Sequence, residues 1–336
     1  MEHHAPHRTS AFEGYYSKFD LPSGAHLALI ICSVRGAKQR PHMVSFSYVP
    51  PDDATKTYQK EVWVDNIDML TFSKKDYEFG LEVPGMGYAR WGADSLAEYR
   101  LEHDDFSFHA RTTSRVPWSK HTETPEGLLV NLPLPLHWHV QSLDSTCEFQ
   151  LKLPGYDLPS QDRSGEARVH QEKNWARSFP SAHMWLQARD GDRGFCCAGG
   201  QILGLEAFLL GYRSKDLEID FRPPFAVRVA GLSPFMSYQS DWGNRAFELS
   251  VQGLFYKLTV KATAPEGSFF ALSSPFPEGH RENFLGQSFQ ATYEIKIFES
   301  NGISPWKLIR EDVFQGASLE FGGGYYPPAG TKERFH

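Results

Sequence analysis

The 336-residue chain carries a formal net charge of −7, with 34 Lys and Arg against 41 Asp and Glu, so its charge does not favour nucleic acid or an anionic membrane surface as a partner. An apolar share of 40% and an aromatic share of 14% exclude a disordered chain and supply a substantial core. The 25 Phe, 14 Tyr and 8 Trp suit strands, and they also suit the walls of a pocket for a flat, unsaturated ligand.

In chain order, the opening MEHHAPHRTSAFEGYY has no apolar targeting core and no Arg/Ser-rich amphipathic pattern, so a cytoplasmic location is expected. No later run approaches the roughly 18 to 20 apolar residues of a membrane span. Period-two or short buried runs predict strands at 26–34, 42–49, 61–67, 106–114, 127–132, 147–153, 216–221, 247–262 and 291–299. Clusters such as RDGDRG and APEG between them are turn chemistry. Only ADSLAEYRL (93–101) and GLEAFLLGY (204–212) read as short helices. Many short strands with frequent turns predict an all-β chain of antiparallel barrel or sandwich halves. Composition shifts to Pro, Gly, Ser and charge in LPGYDLPSQDRSGEA (153–167), which predicts two domains, 1–160 and 161–336, or one long loop inside a larger sandwich.

The pattern of nucleophiles and ligands excludes several chemistries. Cys32, Cys147, Cys196 and Cys197 form no CxxC site and no disulfide framework, and are expected as buried thiols. GxSxG, GxGxxG after a strand, GxxxxGK[ST] and HExxH are all missing, so no cofactor and no metal are expected. His137 and His139 of HWH would share one strand face, but a metal-dependent hydrolase would need His170 or Glu172 as a further ligand. EFGGGYYPP (320–328) has no helix for a phosphate to cap and reads as a tight bend after a terminal strand.

What remains is a set of acids and hydrogen-bond donors among aromatic residues. FEGYY joins Glu13 to Phe12, Tyr15 and Tyr16; HWHVQSLDS joins the two histidines to Trp138 and Gln141; QEKNWARSFP supplies Glu172, Lys173, Asn174, Trp175 and Phe179. As a strand, 169–175 puts Gln171, Lys173 and Trp175 on one face, and His170, Glu172 and Asn174 on the other. Glu172 and Lys173 then need separate partners, since an unpaired buried charge is costly. Lys173 is expected to brace the fold, and His170 with Glu172 to line a reaction cavity. There a carboxyl in apolar surroundings, Glu172 or Glu13, would have a raised pKa and could donate a proton.

The blocks FEGYYSKF, HWHVQSLDS, EKNWARSFPSAHMWLQ and SLEFGGGYYPP, in that order along nearly the whole chain, resemble those of the tocopherol cyclase-like proteins. The third block, with its downstream Trp185 and Gln187, is the most specific. Ala176 stands where that family usually has Gly, and Tyr15 where it usually has Trp. The resemblance implies two lipocalin-like β halves, related to hydroxyneurosporene synthase-like proteins and to fungal lipocalin-like Diels–Alderases. It also implies a cofactor-independent cyclase, here of terpenoid or meroterpenoid specialised metabolism. Such an enzyme joins an alkene to a phenol or quinone methide as a pyran or chroman-type ring, by proton-initiated closure or by a hetero-Diels–Alder reaction. Expected catalytic residues are Glu172, His170, Glu13 and His139; expected substrate contacts are Tyr15, Tyr16, Trp138, Gln141, Lys173, Asn174, Trp175, Phe179, Trp185 and Gln187. The expected partner is an apolar unsaturated small molecule, and a homodimer is compatible with the chain. The alternative is a non-catalytic carrier of a terpenoid, pigment or lipid.

Overall fold

The computed structural model describes residues 1–177, 179–202 and 204–327; Pro328 of the last block lies outside them. The chain forms two compact units. Among the described residues, the first comprises 1–179 with 275–281, and the second comprises 180–274 and 282–327. The first unit contains β1 (Phe12–Asp20), β2 (His26–Val34), β3 (His42–Val49), β4 (Tyr58–Val64), β5 (Asp68–Ser73), β6 (Glu78–Val83), β7 (Gly87–Trp91), β8 (Ala97–His103), β9 (Phe106–Thr112), β10 (Leu136–Lys152) and β11 (Ser164–Ala176). These pair antiparallel in the order β4-β3-β2-β1-β11-β10-β9-β8-β7-β6-β5.

That order requires curvature. β4 and β5 lie at opposite edges of an 11-stranded sheet, which laid flat would be roughly 48 Å wide. Yet only residues 65–67 join Val64 to Asp68, a reach of at most about 14 Å. The sheet must therefore curl until its edges approach, as in a lipocalin-like barrel. The inside is filled by alternate residues, among them Phe19, Phe46, Phe79, Trp91, Tyr99, Phe106 and Phe108.

The second unit repeats the plan. The strands of the second sheet are β12 (Ala182–Asp190), β13 (Arg193–Ile202), β14 (Leu205–Arg213), β15 (Glu218–Phe221), β16 (Val227–Val229), β17 (Met236–Asp241), β18 (Ala246–Gln252), β19 (Tyr256–Thr263), β20 (Phe270–Phe276), β21 (Gly279–Glu299) and β22 (Lys307–Gly323). The order is β15-β14-β13-β12-β22-β21-β19-β18-β17, with β16 on β14 and β20 on β21. Met184, Leu186, Phe208, Phe247, Tyr293 and Phe321 belong to its core. The expected all-β class holds, with two antiparallel sheets and three short 3-10 turns among the described residues. All four cysteines are buried and none forms a disulfide.

Three expectations are corrected. Residues 93–101 and 204–212 are strands for the most part. In β8, Ala97, Tyr99 and Leu101 face the core, while Glu98, Arg100 and Glu102 point out, a period of two that overrides local helix propensity. GLLVN at 127–131 is a 3-10 turn, with Leu128 88% exposed. The boundary expected after residue 160 falls ahead of β11, whose ladders with β1 and β10 put residues 164–176 in the first sheet. The polar stretch before it is a loop of the first unit, pinned where buried Asp162 accepts from the Ser23 amide at 3.0 Å and the Tyr48 hydroxyl at 2.7 Å.

Phe108 meets Phe19 edge-on at 4.9 Å and packs against Phe46 at 5.8 Å. Phe108→Ala is expected to cost about 3 to 5 kcal/mol, read as a lowered urea midpoint with an unchanged slope.

Candidate functional site

The chemistry of the first unit concentrates on three adjacent strands, β1, β11 and β10. Register places Glu13 beside Trp175 and His137, and Tyr15 beside Lys173 and His139. Partners directly opposite in a ladder share a face, so these six side chains line the inside. On the other face Tyr16 and Val140 flank Glu172, Trp138 flanks Asn174, and Lys18 flanks His170. The alternation expected for 169–175 is the one observed.

On the inner face the Lys173 ammonium is fully buried, 2.7 Å from the Glu13 carboxylate. It also donates to the Ala5 carbonyl at 2.6 Å, lies 2.8 Å from His7 Nδ1, and sits over the rings of Tyr15 and Trp175. The second Glu13 oxygen accepts from Arg35 at 2.6 Å, and the His7 amide donates to the first. Trp175 is stacked between His7, at 3.9 Å, and His137, at 4.8 Å. Glu126 holds His137 at 2.8 Å and accepts from the Trp138 amide at 2.6 Å. A bulge in β10 takes Gln141 out of the ladder; its carbonyl accepts from Arg115 at 2.7 Å.

Burial sets the electrostatics of this face. Burial alone would raise the Glu13 pKa, but the Lys173 charge and the hydrogen bonds from His7 and Lys173 outweigh it and hold the group at about 2, below its ordinary 4.5. This corrects the expectation of Glu13 as a raised-pKa proton donor: an ion pair, not an apolar pocket, surrounds it. Burial pulls Lys173 down from 10.5 to about 8, with the Glu13 charge opposing. Burial also pushes His4 and His139 well below 6.5.

On the outer face His170 Nε2 lies 2.9 Å from Glu172, and His170 Nδ1 lies 3.4 Å from the Leu143 carbonyl. That carbonyl can only accept, so a proton on Nδ1 leaves Nε2 to exchange a proton with Glu172. Both side chains are buried. Tyr16 and Asn174 on this face are half-buried, and Phe179 packs on Phe12 at 5.7 Å. The four expected catalytic residues are thus divided, with Glu13 and His139 inside and His170 and Glu172 outside. His137 and His139 share a face as expected, but each is held by its own partner, and no cluster of three or more His, Cys, Asp or Glu suited to a metal occurs among the described residues.

Trp185 and Gln187 belong to the second unit. They lie on β12 on the face opposite the core residues Met184 and Leu186. That face holds a constellation the sequence did not single out: His183 Nε2 is 2.7 Å from Glu320, whose other oxygen accepts from Gln287 at 2.9 Å. The signal lay in the glycines. A Cβ on Gly322 would sit 1.8 Å from the His183 ring, so Gly322 makes room for the imidazole; the positive φ of 58° falls on Gly323. Arg35 and Glu126 also went unnoticed, since no motif surrounds either.

No protein-family model and no curated protein matches the sequence. Solved structures do match. CghA, crystallised with Sch210972, aligns with a TM-score of 0.59 at 10% identity, covering 93% of this chain and 88% of its own. A protein of Nitrosomonas europaea described as ATTH aligns at 0.52 and 11%, covering 96% and 95%. Kievitone hydratase from Nectria haematococca aligns at 0.52 and 10%, covering 95% and 91%. At such identities the likeness is one of fold, the lipocalin-like architecture.

Lys173→Met leaves the Glu13 charge buried with one cation fewer and is expected to cost about 3 to 5 kcal/mol, with much of it recovered in Lys173→Met/Glu13→Leu; paired urea melts measure both. Because His4 and His139 take protons in the unfolded chain near 6.5 but not in the folded one, stability falls as pH drops below 6.5. The slope is about 1.4 kcal/mol per pH unit per histidine, and urea midpoints for the parent and His139→Gln should show a shallower fall in the variant.

Proposed function

We propose that the chain is a cofactor-independent cyclase of terpenoid or meroterpenoid metabolism, similar to the tocopherol cyclase-like proteins, that joins an alkene to a phenol or quinone methide as a pyran-type ring. The observation that carries this is the buried His170–Glu172 pair at 2.9 Å, with Tyr16 directly across the ladder. A carboxyl and an imidazole sharing one proton can lend it and take it back within a turnover.

In proton-initiated closure the pair protonates the alkene carbon, the phenolic oxygen bonds to the cation, and the phenol proton returns to the pair. The result is an isomerisation with no net acid consumed. In the cycloaddition the heterodiene oxygen and carbon bond to the alkene together, and the same pair donates a hydrogen bond to that oxygen as its charge develops. Trp138 and Tyr16 offer aromatic surface on the same face, a stabilising neighbour for a cation. The shared fold with a protein named as a hydratase supports the reading, since adding water to an unsaturated substrate also requires proton transfer.

His170→Gln and Glu172→Gln are each expected to slow ring closure of a prenylated phenol (the proton-initiated route) or of a prenylated ortho-quinone methide generated in place (the cycloaddition) by about 10²- to 10⁴-fold while binding persists. Turnover at the parental rate in both would sink the proposal, and binding without ring closure by the parent chain would make it a carrier. In D₂O, a carbon-bound deuteron in the product marks proton initiation; its lack marks the cycloaddition.

A further inference from the structure

Residues 1–5 lie against the first unit with His4 inserted into it, while Glu2 is exposed and Met1, His3 and Ala5 are half-buried. Met1 and Ala5 pack against its core, and His4 is 1% exposed. The His4 ring meets Trp91 at 4.9 Å, Tyr15 at 5.3 Å and Phe79 at 5.7 Å, each edge-on, and lies 5.9 Å from His139. Phe79 and Trp91 stack on each other at 4.8 Å, so the imidazole occupies a slot with flat walls.

This occupant fills the slot but, apart from Lys173, leaves its polar groups unused. Both ring nitrogens of His4, Nδ1 of His139, the Tyr15 hydroxyl and the Trp91 indole N–H are buried without a hydrogen-bond partner among the described residues. Buried polar groups are paired in most folded chains, and five such atoms on four side chains, with only His139 held through its other nitrogen by Gln141, are a costly concentration around one slot. The segment's polar contacts there are the carbonyls of Ala5 and His4 on Lys173, at 2.6 and 3.4 Å, and the Met1 sulfur on the Gln141 side-chain amide at 3.0 Å. Lys173 has its charge matched by Glu13, so what it can offer another occupant is one N–H and no net charge.

We propose that the slot between Tyr15, Phe79, Trp91, His139 and Lys173 is a binding site for a neutral, flat, oxygenated arene of the quinone class, and that residues 1–5 are its displaceable occupant. One quinone oxygen takes the Lys173 N–H now given to Ala5, and the ring lies against Phe79 and Trp91. The Tyr15 hydroxyl and the Trp91 indole N–H supply donors to the oxygens. The site is separate from the His170–Glu172 face, because neighbouring residues of β11 point to opposite sides of the sheet. It therefore stands or falls independently of the proposed cyclase activity.

The test uses the full chain and 2-methyl-1,4-naphthoquinone, with tryptophan quenching for affinity and hydrogen exchange of residues 1–8 for displacement. Saturable quenching with faster exchange in residues 1–8 is expected. His4→Gly, which empties the slot, is expected to bind about tenfold tighter, and Tyr15→Phe, which keeps the packing and removes one donor, about three- to tenfold weaker. Circular dichroism of both variants establishes that they are folded. Failure of the parent and of His4→Gly to bind would overturn the proposal. So would equal affinity in the parent and His4→Gly, or binding that leaves exchange in residues 1–8 unchanged.

Discussion

The Glu13–Lys173 ion pair is the constraint on which the rest of the first unit depends. Two opposite charges held out of water between neighbouring strands tolerate no slip of register, because a shift of one residue would carry one of them to the other face and leave its partner buried alone. The pairing of β1 with β11 is thereby specified, and with it the position of every side chain on both sides of the seam. Tyr15, Gln171 and Trp175 go inward with the ion pair; Tyr16, His170, Glu172 and Asn174 go outward. A bracing interaction on one face thus positions an acid–imidazole pair on the other.

The same seam shows why blocks far apart in the sequence share chemistry. FEGYY, EKNWA and LHWHV are consecutive rungs of three adjacent strands, with Gly14 against Asn174, Tyr15 against Lys173 and His139 beyond it. Gly14 leaves room there for Asn174, whose amide oxygen would lie 2.9 Å from an added Cβ. In the second unit AHMWLQ pairs with the SLEFGG block, so that His183 lies over Gly322 and Gln187 accepts from Ser318 at 3.4 Å. Each unit therefore carries a buried histidine–carboxylate pair on the sheet face opposite its aromatic core, one made within β11 and one across β12 and β22. Fold likeness alone does not assign chemistry to either, because one architecture hosts many activities.

The short period-two runs, the turn residues between them and the shortage of long helical patterns determined the all-β class from the sequence alone, because they are local properties of the chain. So did the face alternation of 169–175, which separated Lys173 from Glu172 before any partner was known. Where local signals conflicted, as in ADSLAEYRL and GLEAFLLGY, helix-favouring composition lost to burial across a ladder, and only the tertiary structure could register that. It alone decided partners: that Glu13, far from Lys173 in sequence, neutralises it; that Glu126 orients His137; that His183 meets Glu320; and that His4 enters the core. The physical reason is one of range. Strand periodicity is written in neighbouring residues, whereas the partner of a buried charge, and hence the protonation state that makes Glu13 an ion and not an acid, depends on contacts that exist only once the sheet has curled.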